Sequence, residues 1–195
     1  MRCRFGGSGS WYYSTLAGLG RVPGSRSWAA LAIAPPAGDV LLNLTWASAS
    51  IDTPMGLVAV SWAAQPPGAA AAAAAAVAAA ACSPAPGDRR GAPAEAPAGP
   101  PPCVAPPVYT LAATVPVGGV ATVRLPVGVP VAGSAVVVVE GAAVVWSNGA
   151  FVPGSAPGVT GATAGPDGTS VVFSVGSGAY AFEARTQAAA AGGAA

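Results

Sequence analysis

The alternation of apolar and polar positions is clearest between Leu44 and Trp62. Val58, Val60 and Trp62 alternate there with Leu57, Ala59 and Ser61, and a period of two gives a strand two distinct faces. The pattern predicts strands over Leu44–Ile51 and Gly56–Trp62, joined by the turn Asp52-Thr53-Pro54-Met55-Gly56. Pro54 presets its own φ, and Gly56 accepts a positive one. Similar texture predicts strands over 27–35, 108–115, 120–125, 135–140, 142–146, 169–175 and 179–185. In the last of these Tyr180 and Phe182 share one face, while Ala179, Ala181 and Glu183 share the other. Residues 148–168 read as loop, rich in Gly and Pro.

Two segments depart from this texture. Before the strands, Phe5, Tyr12, Leu16 and Leu19 fall on one helical face, which predicts a helix over Gly9–Leu19 capped by Ser8 or Ser10 and stopped by Gly20 and Pro23. So short an amphipathic helix with three consecutive aromatics, Trp11, Tyr12 and Tyr13, needs a surface to lie on. Residues 65–107 are almost wholly Ala, Pro and Gly, with a charged knot at Asp88-Arg89-Arg90. Ala69–Ala81 has high helix propensity but no large side chain to dock, and Ser83–Pro107 reads as extended and disordered. Strand texture resumes beyond it, so 65–107 reads as an insertion within one domain, and 186–195 as a disordered tail. The fold expected is mainly β: an antiparallel β-sandwich of jelly-roll type with one short N-terminal helix and a long Ala/Pro-rich disordered insertion. The strand ending at Trp62 should then pair with the strand beginning near Val108.

Composition narrows the function classes. Of 195 residues 53% are hydrophobic and only 8% charged, but alanine inflates the first figure. All basic residues are Arg, His is absent, and the net charge of +1 makes no electrostatic case for nucleic acid or a membrane surface. This usage reads as compositional bias of the gene. No segment has the ~18 apolar residues of a membrane span, and Gly and Ser interrupt the N-terminus too often for a signal peptide; the compartment stays open. Cys3, Cys82 and Cys103 lack metal-ligand spacing and any His partner, so no metal or other cofactor is expected. Cys82 and Cys103 flank the Pro-rich segment; they read as free thiols before they read as a disulfide.

Three phrases resemble the C-terminal portion of bacterial-type α-L-rhamnosidases. The first hairpin is similar to L-x-W-A-x-A-x-x-x-T-P-x-G-x-x-x-x-x-W through Leu44, Trp46, Ala47, Ala49, Thr53, Pro54, Gly56 and Trp62. A second is similar to V-P-x-x-x-x-A-x-V-x-L-P through Val115, Pro116, Ala121, Val123, Leu125 and Pro126. The closing hairpin matches through Val175, Gly176, Ser177, Gly178, Tyr180 and Phe182. The N-terminal phrase, with Phe5, Gly6, Trp11, Tyr13, Leu16, Ala17, Gly18 and Leu19, resembles the last inner helix of that family's (α/α)6 catalytic barrel. The resemblance implies a remnant barrel helix in 1–22 and a β-sandwich over 27–185, interrupted by 65–107. It also implies inverting hydrolysis by a carboxyl pair, but in the barrel, upstream of these residues. The family's His three residues before the Phe of that phrase is replaced by Arg2, so no catalytic residue is carried over.

The residues themselves point the same way. Of seven acids, Asp39, Asp52 and Asp167 fall beside Gly or Pro in turns, Asp88 and Glu95 fall in the insertion, and Glu140 and Glu183 remain. A general acid–base pair needs fixed geometry as well as carboxyl groups, so no catalytic residue is assigned. Without His there is no Ser-His-Asp arrangement. Gly6-Gly7-Ser8-Gly9 lacks the Lys and preceding strand of a phosphate loop. Asn43-Leu44-Thr45 is a glycosylation sequon only in a secreted protein. Trp28, Trp46, Trp62 and Trp146 suggest a sugar-stacking platform; Trp46 and Trp62 read as packing residues, which leaves Trp146, beside the turn at Ser147-Asn148-Gly149, as the candidate. Partners expected on this reading are rhamnose-containing glycans or a separate catalytic barrel. The chain would be a non-catalytic accessory region, or else a stand-alone carbohydrate-binding or structural module.

Overall fold

Strand alternation becomes burial in the computed structural model, which describes residues 7–25, 27–36, 44–64, 109–127 and 136–186. Val58, Val60 and Trp62 are at most 4% exposed, whereas Leu57 on the opposite face is 49% exposed. Tyr180 and Phe182 likewise point inward. A short helix, α1 (Gly7–Trp11), continues as a π-helical turn over Tyr12–Leu16. Among the described residues twelve strands follow: β1 (Leu19–Arg21), β2 (Ala30–Ile33), β3 (Trp46–Thr53), β4 (Gly56–Ala64), β5 (Tyr109–Val115), β6 (Val120–Pro126), β7 (Val136–Glu140), β8 (Ala143–Ser147), β9 (Ala150–Phe151), β10 (Val159–Ala164), β11 (Ser170–Val175) and β12 (Gly178–Thr186).

The strands form two sheets, one ordered β1-β2-β6-β11-β10 and one ordered β3-β4-β5-β12-β7-β8-β9. All pairings are antiparallel except β2 with β6. The mainly β, two-sheet architecture expected from the alternation is therefore present. β4 and β5 pair directly, from Ala59 opposite Thr114 to Ala64 opposite Tyr109, as expected of the strands on either side of residues 65–107. That segment and residues 187–195 lie outside the described residues. Thr186, expected in the tail, closes β12 instead.

The core lies between the sheets. Phe173 of β11 and Phe182 of β12 stack at 4.8 Å between centroids, one ring from each sheet. Leu31, Ile33, Val123, Leu125 and Val171 are fully buried around them. Rings stacked at this distance add to the burial of their area.

Three elements differ from expectation. The helix stops at Leu16, because Gly18 takes φ +71 and its carbonyl accepts a hydrogen bond from the Ala34 amide at 2.7 Å. Leu19 consequently pairs with Ile33 in β1. A Cβ on Gly18 would lie 2.2 Å from the Pro35 nitrogen, so only glycine allows this crossing. Second, β9 and β10 lie within 148–168, the segment read as loop. Asn148 at φ 52 and Gly149 at φ 76 form the tight turn that folds β9 back on β8. Third, the 27–35 strand is shorter, β2 beginning only at Ala30.

Candidate functional site

A hydrogen bond from a core tryptophan ties the N-terminal helical segment to the sandwich. The Trp62 indole Nε1 donates to the Leu16 carbonyl at 2.9 Å, and its ring stacks on Tyr109 at 5.8 Å and 15°. Leu16 and Ala17 therefore face the sheet. Trp11, Tyr12 and Tyr13 do not: they are 49%, 56% and 38% exposed, with Trp11 and Tyr12 in edge contact at 5.4 Å. Between the helical segment and β3 lies an open groove of about 500 Å³, lined chiefly by Tyr12, Tyr13, Leu16, Leu44, Trp46 and Ala47. Its walls are mainly aromatic and aliphatic.

The four indoles do not share a surface. Trp46 is opposite Ala63 while Trp62 is opposite Ala47, so alternation places the two rings on opposite faces of one sheet. The expectation that both pack inside holds for Trp62 alone; Trp46 is 66% exposed. Trp146, the sugar-stacking candidate, is 2% exposed and its Nε1 has no partner among the described residues. A buried indole offers no face to a pyranose, so of these two it is Trp46 and not Trp146 that presents its ring to solvent. Trp28 is half-buried, and Arg21 lies over its ring at 5.8 Å.

The described acids are dispersed. Asp52 is exposed near the end of β3, inside the strand and not in the turn. Glu140 is opposite Phe182 and Glu183 opposite Val139, so strand alternation sends these carboxylates to opposite faces of the sheet. Glu183 is ion-paired with Arg185. Asp39, Asp88 and Glu95 lie outside the described residues. Among the described residues, no group of three His, Cys, Asp or Glu is placed to hold a metal, and no helix is long and apolar enough to cross a membrane.

A dense polar cluster forms a clasp at the β10–β11 turn. Arg124 of β6 meets Asp167 at 3.0 Å and donates from Nε to Ser170 Oγ at 3.1 Å. Ser170 and Thr169 each donate a hydroxyl to Asp167, at 2.5 and 2.6 Å. Burial acts to raise the Asp167 pKa, but the hydrogen bonds from Ser170, Thr169 and Arg124, with the Arg124 charge, outweigh it and hold the carboxyl well below the usual range. These contacts tie the β10–β11 turn to β6, so the cluster fastens strands. Tyr180 makes a second fastener, donating to the Gly176 carbonyl at 3.1 Å over Gly158, where a Cβ would lie 2.3 Å from the hydroxyl. Burial, then the Glu140 charge, raises the Tyr180 pKa.

Fold and site thus define a two-sheet β-sandwich with an aromatic helical segment laid across its open margin and no assembled catalytic group among the described residues. No family model matches the chain, and no curated protein matches it. Among solved structures, the α-L-rhamnosidase from Dictyoglumus thermophilum aligns with a TM-score of 0.53 and 18% identity over 91% of this chain. An α-L-rhamnosidase of Streptomyces avermitilis, complexed with L-rhamnose, aligns with a TM-score of 0.47 and 19% identity over 90% of this chain. The chain spans only 13% and 10% of the lengths of those two proteins. The resemblance read from the hairpin phrases is therefore present as a likeness of fold to one small part of the Dictyoglumus α-L-rhamnosidase.

Proposed function

We propose that the chain acts as the C-terminal accessory region of an α-L-rhamnosidase-like glycoside hydrolase, non-catalytic alone, supporting a helical catalytic barrel. The observation that carries this reading is the exposed aromatic surface of Trp11 and Tyr12 on a helical segment whose other side is fastened to the sandwich. In the barrel reading, 7–16 is the last barrel helix and these rings pack against its neighbours. The fold likeness, which covers most of this chain and little of a rhamnosidase, supports the same assignment. Sequencing the transcript upstream of Met1 tests it directly: several hundred residues of helical, acid-bearing sequence are expected, and an authentic start at Met1 would sink the reading. The isolated chain should leave p-nitrophenyl α-L-rhamnoside unhydrolysed, and the longer protein should cleave it.

A second reading, a stand-alone carbohydrate-binding module, is favoured by the exposed Trp46 beside Tyr12 and Tyr13, since flat apolar rings complement pyranose faces. Titration with rhamnose-containing glycans should then change indole fluorescence in the native chain and not in Trp46→Ala. No change with any glycan removes it.

A further inference from the structure

Strand β3 is an open sheet edge, and it differs from the other three. β1 is three residues long and β9 two, while β10 carries a register shift between Val159 and Gly161. Short or irregular edges resist pairing with another chain. β3 runs eight residues, keeps one register with β4 throughout, and has Asp52 as its only charge. Among the described residues, nothing pairs with its outer side.

The geometry shows which groups are free. The Ala64 amide donates to the Thr45 carbonyl at 2.8 Å, so Thr45 and alternate residues from Ala47 to Thr53 bond to β4. The backbone groups of Trp46, Ser48, Ser50 and Asp52 consequently point away from the sheet. We infer that this edge pairs antiparallel with β3 of a second copy of the chain, about a two-fold axis at Ala49, joining two seven-stranded sheets into one.

Self-complementarity selects a second copy as the occupant. An axis at Ala49 sets Trp46 opposite the second copy's Asp52 and Ser48 opposite its Ser50. Every free edge residue then enters a hydrogen-bonded pair, giving roughly eight new backbone bonds. On the outer face the 66% exposed Trp46 reaches across the second copy's Asp52 toward its Leu57, which lies opposite Asp52 and is itself 49% exposed. On the inner face, Ile51 of the second copy falls beside Ala47. It enters the 500 Å³ groove walled by Tyr12, Tyr13 and Leu16. The two Asp52 carboxylates stay apart by six residues of strand, about 20 Å, beyond the screening length at physiological salt. This pairing does not rest on the rhamnosidase reading, because its hydrogen bonds are made by the β3 backbone; Tyr12 is the residue that both readings use.

Sedimentation velocity on the full 195-residue chain, from about 1 to about 300 µM, covers the affinities such an edge reaches. A concentration-dependent dimer is expected. Ser50→Pro removes an amide that bonds to nothing within the sheet, so it should abolish the dimer while leaving the far-UV circular dichroism unchanged. Trp46→Lys, at an exposed position, should weaken the dimer about tenfold or more. A monomer throughout the range overturns the inference. So does a dimer that survives Ser50→Pro in a folded protein, since its interface would then lie elsewhere. Loss of the dimer in Trp46→Lys with an unchanged fold supports it even if Ser50→Pro fails to fold.

Discussion

One register row of the larger sheet, Ala47–Trp62–Leu111–Phe182–Glu140, crosses two different kinds of protein surface. Around Phe182 the sandwich is complete: a facing ring from the other sheet, buried aliphatic neighbours, and the Tyr180 and Asp167 fasteners at its turns. At Ala47 it is unfinished. The inward residues of β3 are only half-buried, the outward ones are exposed, and the covering helical segment turns its aromatics to solvent. Among the described residues, one margin of the sandwich is finished and the other is left apolar.

That contrast is testable by mutation, with effects falling from the centre outward. Phe182→Ala should cost about 3–5 kcal/mol, the usual range for a buried ring truncated to a cavity, and a urea melt should show most of the cooperative transition lost. Gly18→Ala, where the helical segment joins β1, should cost about 1–3 kcal/mol for a strained left-handed backbone, plus the clash with Ala34 and Pro35. Its melt should shift to lower urea, while Trp62 fluorescence reports a loosened helical segment. A Gly18→Ala protein as stable as the native one would mean that the junction carries no load.

The clasp should respond to pH with a defined sign. The folded Asp167 carboxyl lies below its ordinary value, so its contribution is fully present above about pH 4. It is lost as pH falls from there toward the lower folded value. Because the pair is partly exposed, the effect should be at most about 1 kcal/mol. Thermal melts of the native chain and Asp167→Asn should therefore differ at pH 7 and converge in acid. A gap that widens in acid would contradict the assignment. Smallest of all, Trp11→Ser with Tyr12→Ser should change the stability of the isolated chain by no more than about 0.5 kcal/mol. On the barrel reading it should impair assembly with a catalytic barrel, and loss of Tyr12 should also weaken the β3-edge dimer. A large loss in the isolated chain would show that these rings pack within it and would erase the contrast.

Legibility followed the size of the side chains. β4 and β12 were readable because large apolar residues alternate with small or polar ones, and the Pro54–Gly56 turn because each residue has a backbone reason to be there. β1, β9 and β10 were not, since Leu-Gly-Arg, Ala-Phe and Val-Thr-Gly-Ala-Thr-Ala offer too little contrast to register as strands. The Arg124–Asp167–Ser170 clasp was equally hidden: Arg124 and Ser170 are 46 residues apart and meet only because β6 pairs with β11. The free edge of β3 had a partial sequence sign, an unbroken strand with no Lys or Pro inside it. Nothing local says which side of a strand lacks a neighbour.

By itself, then, the sequence determined the class of fold, most of the large-residue strands, the main turns and the resemblance to one part of a glycosidase. These follow from local rules: side-chain period, φ limits at Pro and Gly, and short phrases in order. The tertiary structure alone decided which of the tryptophans are exposed, that β2 runs parallel to β6, and that the helical segment ends at Leu16, before Gly18. It also decided that no described carboxylate faces a partner acid across the sheet. Those outcomes depend on register and sheet order, where a shift of one residue moves a ring from core to solvent.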